Sequence, residues 1–157
     1  MHPLPPYILL DVSRMLWRAW NNQLPTGIGR ACLAYIEHYR HHALAVVQRG
    51  GFTHVLGKAA SAELFGLLLS RPELFRRRLF ALLTRSLLKR ERPLHEMHRP
   101  LYLNVSHSGL DQKGHARWIR RSGVRAVYFV HDLIPITHPE YARKGIPERH
   151  AKRMRVV

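Results

Sequence analysis

Apolar and polar positions along the chain follow two periods in turn, one suited to buried strands and one to helices. Residues 7–12 (YILLDV) form a short apolar run ending on polar residues, the pattern of a strand buried on both faces of a parallel sheet. Residues 21–27 are rich in turn formers, and Ile28, Cys32, Leu33, Tyr35, Ile36 and Tyr39 then recur at helical spacing. Residues 43–48 give a second strand, closed by a Gly50-Gly51 turn. Residues 58–90 read as helical, divided near Pro72, which suits the first turn of a new helix. Residues 101–105 and 124–130 are the third and fourth strands, with a short helix over 114–121 between them and another helix beginning at Pro147. Pro135 and Pro139 are expected to hold residues 133–141 extended, because each proline biases its predecessor away from helix. Strands alternating with helices predict an α/β fold, a Rossmann-like parallel sheet flanked by helices.

In such a sheet, ligands bind beyond the carboxyl ends of the strands, so the residues just after each strand carry the chemistry. The first strand leads to Ser13 and Arg14 and then to a TGIGR segment spanning Thr26, Gly27, Gly29 and Arg30. Glycines at a helix start let backbone approach a ligand, and the free N–H groups there favour phosphate, although the same pattern also makes an ordinary strand-to-helix turn. Ser106, His107, Ser108 and Gly109 come after the third strand, and His131 and Asp132 after the fourth. An adjacent histidine and aspartate can set each other's protonation and bind sugar hydroxyls, or can simply cap the next turn.

The stretch HDLIPITHPEY over residues 131–141 resembles the HDLIPxxxPEY motif of bacterial glycosyltransferase family 4 enzymes. The DVSR segment at residues 11–14 and the TGIGR segment at 26–30 resemble two further family motifs, in the same order. The likeness runs from about residue 7 to the end of the chain, with little motif content between about 50 and 100. It implies the N-terminal half of a GT-B fold, in a retaining enzyme that transfers sugar from a nucleotide-sugar co-substrate to a lipid-linked or polysaccharide acceptor. It also implies no metal and no other cofactor. By the same likeness, Gly27, Gly29 and Arg30 would face the donor phosphates, and His131 would lie beside the transferred sugar with Asp132 supporting it. Ser106 and His107 would line the acceptor side. Family members run to more than twice this length and carry a second Rossmann-like domain with an E-x7-E motif and most donor contacts. Residues 1–157 are therefore expected to be a truncated, acceptor-side domain, inactive without a separate C-terminal domain. The expectation is geometric: Gly27, His107 and His131 should line one rim of the sheet.

Composition sharpens the choice of partner. Twenty-six Lys and Arg against 10 Asp and Glu give a formal charge of +16, so an anionic partner is expected. Charge alone admits nucleic acid, but no helix-turn-helix, zinc-finger or OB-type pattern accompanies it, and a nucleic-acid-binding module remains only the alternative, beside a non-catalytic remnant. Residues 73–90 place apolar positions near one helical face with Arg76, Arg77, Arg78, Arg85 and Lys89 beside them, suiting either an anionic membrane surface or a core-facing helix with a solvated basic side. Cys32, the only cysteine, reads as a buried apolar position in a reducing compartment. With no secretory signal and no run long enough to span a bilayer, the expected location is cytoplasmic, peripheral on the inner membrane or free of it. His41-His42 and the His95, His98 pair lack the further ligands of a zinc site and read as surface residues. Trp17, Trp20 and Trp118 read as packing or cleft residues.

Overall fold

The computed structural model describes residues 7–89 and 93–157, the side chains of residues 95 and 96 excepted. Position 90, the expected end of the long helical stretch, therefore lies outside the described residues, as does the side chain of His95. The described residues form a five-stranded sheet with helices on both faces. In chain order, β1 (Ile8–Asp11) leads to α1 (Ser13–Trp20) and α2 (Gly27–Tyr39), then to β2 (Ala43–Arg49) and β3 (Phe52–Val55). Helices α3 (Lys58–Ser70) and α4 (Phe75–Lys89) cross to β4 (Leu101–Asn104), and α5 (His115–Ser122) crosses to β5 (Arg125–Tyr128). A helical turn α6 (Ile134–Thr137), a 3-10 turn (Pro139–Tyr141) and α7 (Ile146–Met154) complete the order.

The strand order is β3-β2-β1-β4-β5, with β1, β2, β4 and β5 parallel and β3 antiparallel at one edge. From β1 the chain first winds outward to β2 and later returns to β4 on the other side. The direction of winding therefore reverses between β1 and β4, which is where a doubly wound sheet opens a crevice for ligands.

Strand periodicity divides the core in two. Leu10, Ala45, Val47, Leu103 and Val105 face α1 to α4, packing on Leu16, Ile36, Phe65 and Leu79. Leu9, Leu44, Val46 and Tyr102 face the other way, with Trp118 and Ile119 of α5 packed against them. Cys32 is buried in the first cluster, and burial pushes its thiol up to about 11.

Three elements depart from the sequence expectation. Residues 13–20 form a helix, because Met15, Leu16 and Ala19 make a buried stripe at helical spacing. Phe52–Val55 pairs with β2 through a two-residue turn in which Gly50 and Gly51 hold φ of +58° and +87°, the geometry that matches the twist of a hairpin. Residues 133–141 are not extended: Pro135 and Pro139 open α6 and the 3-10 turn, where a missing N–H costs nothing.

One close approach ties α5 to the hairpin, since a Cβ on Gly114 would sit 1.9 Å from the Gly51 carbonyl oxygen. Gly114→Ala is expected to lower stability by about 1–3 kcal/mol through forced backbone displacement. Gly66→Ala, at an exposed mid-helix position with open space around it, is expected to raise it by about 0.5–1 kcal/mol. Urea denaturation of the two variants checks the opposite signs.

Candidate functional site

The crevice at the switch point is floored by a buried polar network. The Asp11 side chain ends β1 and is 4% exposed, with no ion pair among the described residues. Its Oδ1 accepts the Ser13 backbone N–H at 2.9 Å, and its Oδ2 accepts the Tyr102 hydroxyl at 2.6 Å and the Gln48 side-chain amide. Strand alternation puts Tyr102 and Asn104 on the same face, and the Asn104 amide donates to the Tyr102 oxygen at 3.1 Å.

Gln48 extends the network toward β5. Its Oε1 lies 3.0 Å from His115 Nδ1, and His115 Nε2 lies 2.9 Å from the Tyr128 hydroxyl. Since an amide oxygen only accepts, His115 carries its proton on Nδ1 and Nε2 accepts from Tyr128. Burial lowers the His115 pKa more than the Asp11 carboxyl group raises it, which keeps the ring neutral. Burial, reinforced by Asp11, raises the Tyr102 hydroxyl well above its usual value and the Tyr128 hydroxyl to about 12. The phenols therefore remain donors, and the hydrogen bonds run in one direction, from Tyr128 to Asp11.

Above this floor, the strand ends bring basic side chains together. Arg14, at the start of α1, reaches across the switch point to the Ser108 hydroxyl at 3.5 Å. His107 comes after β4 with φ of +41°, a left-handed conformation uncommon outside glycine. Its ring centroid is 5.6 Å from that of His131 and 5.4 Å from that of His150 on α7. His131 Nε2 donates to the Val105 carbonyl at 2.6 Å, leaving Nδ1 as the nitrogen that can meet a ligand. His150 Nε2 donates to the Asp132 carbonyl at 3.2 Å, and Arg149 and Arg153 hold Asp111 at 2.8 and 3.0 Å, which docks α7 on the crevice.

The sequence-selected residues divide among different tasks. His107 and His131 come together in the crevice. Asp132 does not bond the His131 ring: its Oδ1 accepts the Ile134 N–H at 3.2 Å and caps α6. Ser106 is 1% exposed, and its backbone N–H and hydroxyl both donate to Asn104 Oδ1, so it shapes the turn that carries His107. Gly27 and Gly29 open α2 with ordinary φ values, and no side chain caps the free N–H groups of that first turn. The helix ends shortly before Ala43, which pairs with Ile8, so its length of about 20 Å carries Gly27 toward the rim. Among the described residues, no hydrogen bond, ion pair or ring contact joins Gly27, Gly29 or Arg30 to the histidines.

Gln48, Tyr102, Asn104, His115, His150 and Arg153 escaped selection as site residues, although the alternating LYLN of β4 already put Tyr102 and Asn104 on one face, whereas Arg14 stood at one of the strand ends singled out in the sequence. Trp17 and Trp118 pack, the first donating to the Gln48 carbonyl at 3.2 Å and the second standing edge-on to Tyr102 at 5.2 Å. His41, His42 and His98 are exposed, and among the described residues no group of three or more His, Cys, Asp or Glu could hold a metal ion. No family model, curated protein or solved structure matches the chain.

His107 is pushed down to about 4, first by burial and then by repulsion from Arg153, His150, His131 and Arg14. The denatured chain takes up that proton near pH 6.5 and the folded protein only near 4, so stability is full above the first value and declines toward the second. The expected loss between pH 7 and pH 4 is roughly 3 kcal/mol from this residue. His107→Asn, which tolerates the left-handed backbone, should flatten the curve in urea denaturation series across that range.

Proposed function

We propose that this chain is the N-terminal, acceptor-side domain of a retaining GT-B glycosyltransferase, which moves a sugar from a nucleotide-sugar donor to a lipid-linked or polysaccharide acceptor. The observation that carries the reading is the meeting of three strand ends at the switch point, where Arg14, His107 and His131 share one crevice. Two of these lie in the segments that resemble the transferase family, DVSR and HDLIPITHPEY.

The chemistry fits that role. Its Nε2 proton held by the Val105 carbonyl, a neutral His131 presents a lone pair on Nδ1 that can accept a sugar hydroxyl. The uncapped first turn of α2 offers N–H groups to a diphosphate, and the cations of the rim oppose the charge that builds on a departing nucleotide without calling for a metal. The donor itself would be held chiefly by a second Rossmann-like domain facing this crevice.

The acceptor's setting is indicated by α4. Phe75, Leu79, Leu82 and Ser86 turn inward, whereas Phe80, Leu87 and Leu88 are exposed among Arg77, Arg78, Arg85 and Lys89. Apolar side chains ringed by cations suit an anionic membrane surface, where lipid-linked acceptors reside. Among the described residues, no helix is long and apolar enough to cross a membrane.

Deleting the gene should remove a glycosylated product from the cell's lipids or polysaccharide, and wild-type protein should restore it. His131→Ala should restore transfer about 100-fold less well. An unchanged glycan profile in the deletion strain rules the reading out. On vesicles of phosphatidylcholine with phosphatidylglycerol, the double variant Phe80→Ser, Leu88→Ser should sediment with about tenfold weaker affinity than wild type. Equal binding of wild type to neutral vesicles would remove the anionic-membrane partner.

A further inference from the structure

A second cleft, sharing no lining residue with the crevice, opens where the chain between α1 and α2 meets the chain between α3 and α4. Residues 19, 22 and 71–77 line it, and its volume is about 580 Å³. Two of its arginines are fixed on main-chain carbonyls: Arg71 donates to Gln23 at 2.9 Å and Arg76 to Trp20 at 2.7 Å. A carbonyl positions a guanidinium without neutralising it. Arg77 is a third cation, exposed to solvent. Among the described residues none of the three has an ion pair, and Glu73, the one carboxyl group of the lining, has none either. Three cations against one anion leave two positive charges unmatched.

An apolar stripe leads away from the mouth of this cleft. Leu74, Arg77, Ala81, Thr84 and Leu88 follow one another at spacings of three or four and share one side of α4, opposite the buried Phe75, Leu79, Leu82 and Ser86. Leu74, Phe80 and Leu88 are 60%, 66% and 78% exposed. Phe80, Ala81, Thr84 and Leu88 also line an open groove of about 480 Å³. Arg77 of the cleft and Ala81 of the groove stand one turn apart, about 6 Å along the axis, so the two hollows adjoin. A molecule that fills both must be anionic at one end and apolar at the other.

We propose that the cleft holds the terminal phosphate of an anionic lipid, with Arg71, Arg76 and Arg77 around the headgroup and the acyl chains against Leu74, Phe80 and Leu88. A phosphomonoester carries about −1.5 to −2 at neutral pH, which matches the two unmatched charges, and its oxygens accept guanidinium donors in a planar fork. A soluble phosphate would make no use of the apolar stripe, so a lipid is the occupant to which both hollows point. This site rests on the membrane setting inferred from α4 and is independent of the transfer chemistry.

Co-sedimentation with phosphatidylcholine vesicles carrying either phosphatidic acid or phosphatidylserine, matched in surface charge, tests the site. Wild type should bind the phosphatidic acid vesicles about tenfold more tightly, because only that lipid ends in a phosphomonoester. The double variant Arg76→Gln, Arg77→Gln should lose the preference. Arg120→Gln, Arg121→Gln removes the same charge from exposed positions of α5 and should keep it. Equal binding of wild type to the two anionic lipids, or loss of the preference in both double variants, overturns the headgroup site and leaves the membrane setting standing. Binding no better than to phosphatidylcholine alone overturns both. If the α4 variant does not fold, the wild-type preference decides alone.

Discussion

The fold and the crevice both depend on the burial of the Asp11 carboxyl group at the point where the sheet reverses its winding. A carboxyl group removed from water costs several kcal/mol unless its lone pairs are filled. Here they are filled from three elements: the Ser13 backbone that starts α1, Gln48 of β2 and Tyr102 of β4. The bond to Ser13 turns the chain sharply into α1 and sets Arg14 on the rim, while the Ser13 hydroxyl accepts the Gln48 N–H at 2.8 Å and closes the same junction. A register slip of either neighbouring strand would leave Asp11 unpaired and turn Tyr102 or Gln48 to the opposite face. The polar layer thus enforces a strand alignment that the uniformly apolar interior of β2, buried from Ala43 through Gln48, specifies only weakly.

How much of this was legible depends on how local each signal is. The apolar runs of β1, β2 and β4 announced themselves because central strands are buried on both faces. Phe52–Val55 was equally readable, a four-residue alternating segment after two glycines, yet it lies too close to β2 to look like a strand in a βαβ alternation. The 133–141 segment shows two local rules in competition: a proline disfavours helix in the residue before it but favours the first turn of a helix it begins, and the second won at Pro135 and Pro139. In the crevice, His107 and His131 were visible as residues placed just after strands. Asp132 kept the bond nearest in sequence, to Ile134, and Ser106 kept Asn104, because a side chain two residues from a free partner seldom reaches further. His115, His150 and Arg153 come from helices with no motif of their own, and only the packing of α5 and α7 brings them in.

The cations behind the formal charge of +16 are held in different ways. On α4, Arg76 is held by the Trp20 carbonyl and Arg85 by Glu63, whereas Arg77 and Arg78 stand exposed near Phe80. In the crevice the cations are held by specific contacts, Arg153 by Asp111 and Arg14 by Ser108.

The two layers beneath and within the crevice complement each other electrically. The floor is a chain of neutral donors ending on Asp11, so it directs hydrogen-bond polarity toward the switch point without adding positive charge. The rim brings Arg153 and Arg14 near His107, and burial first, with their repulsion second, holds that ring down to about 4.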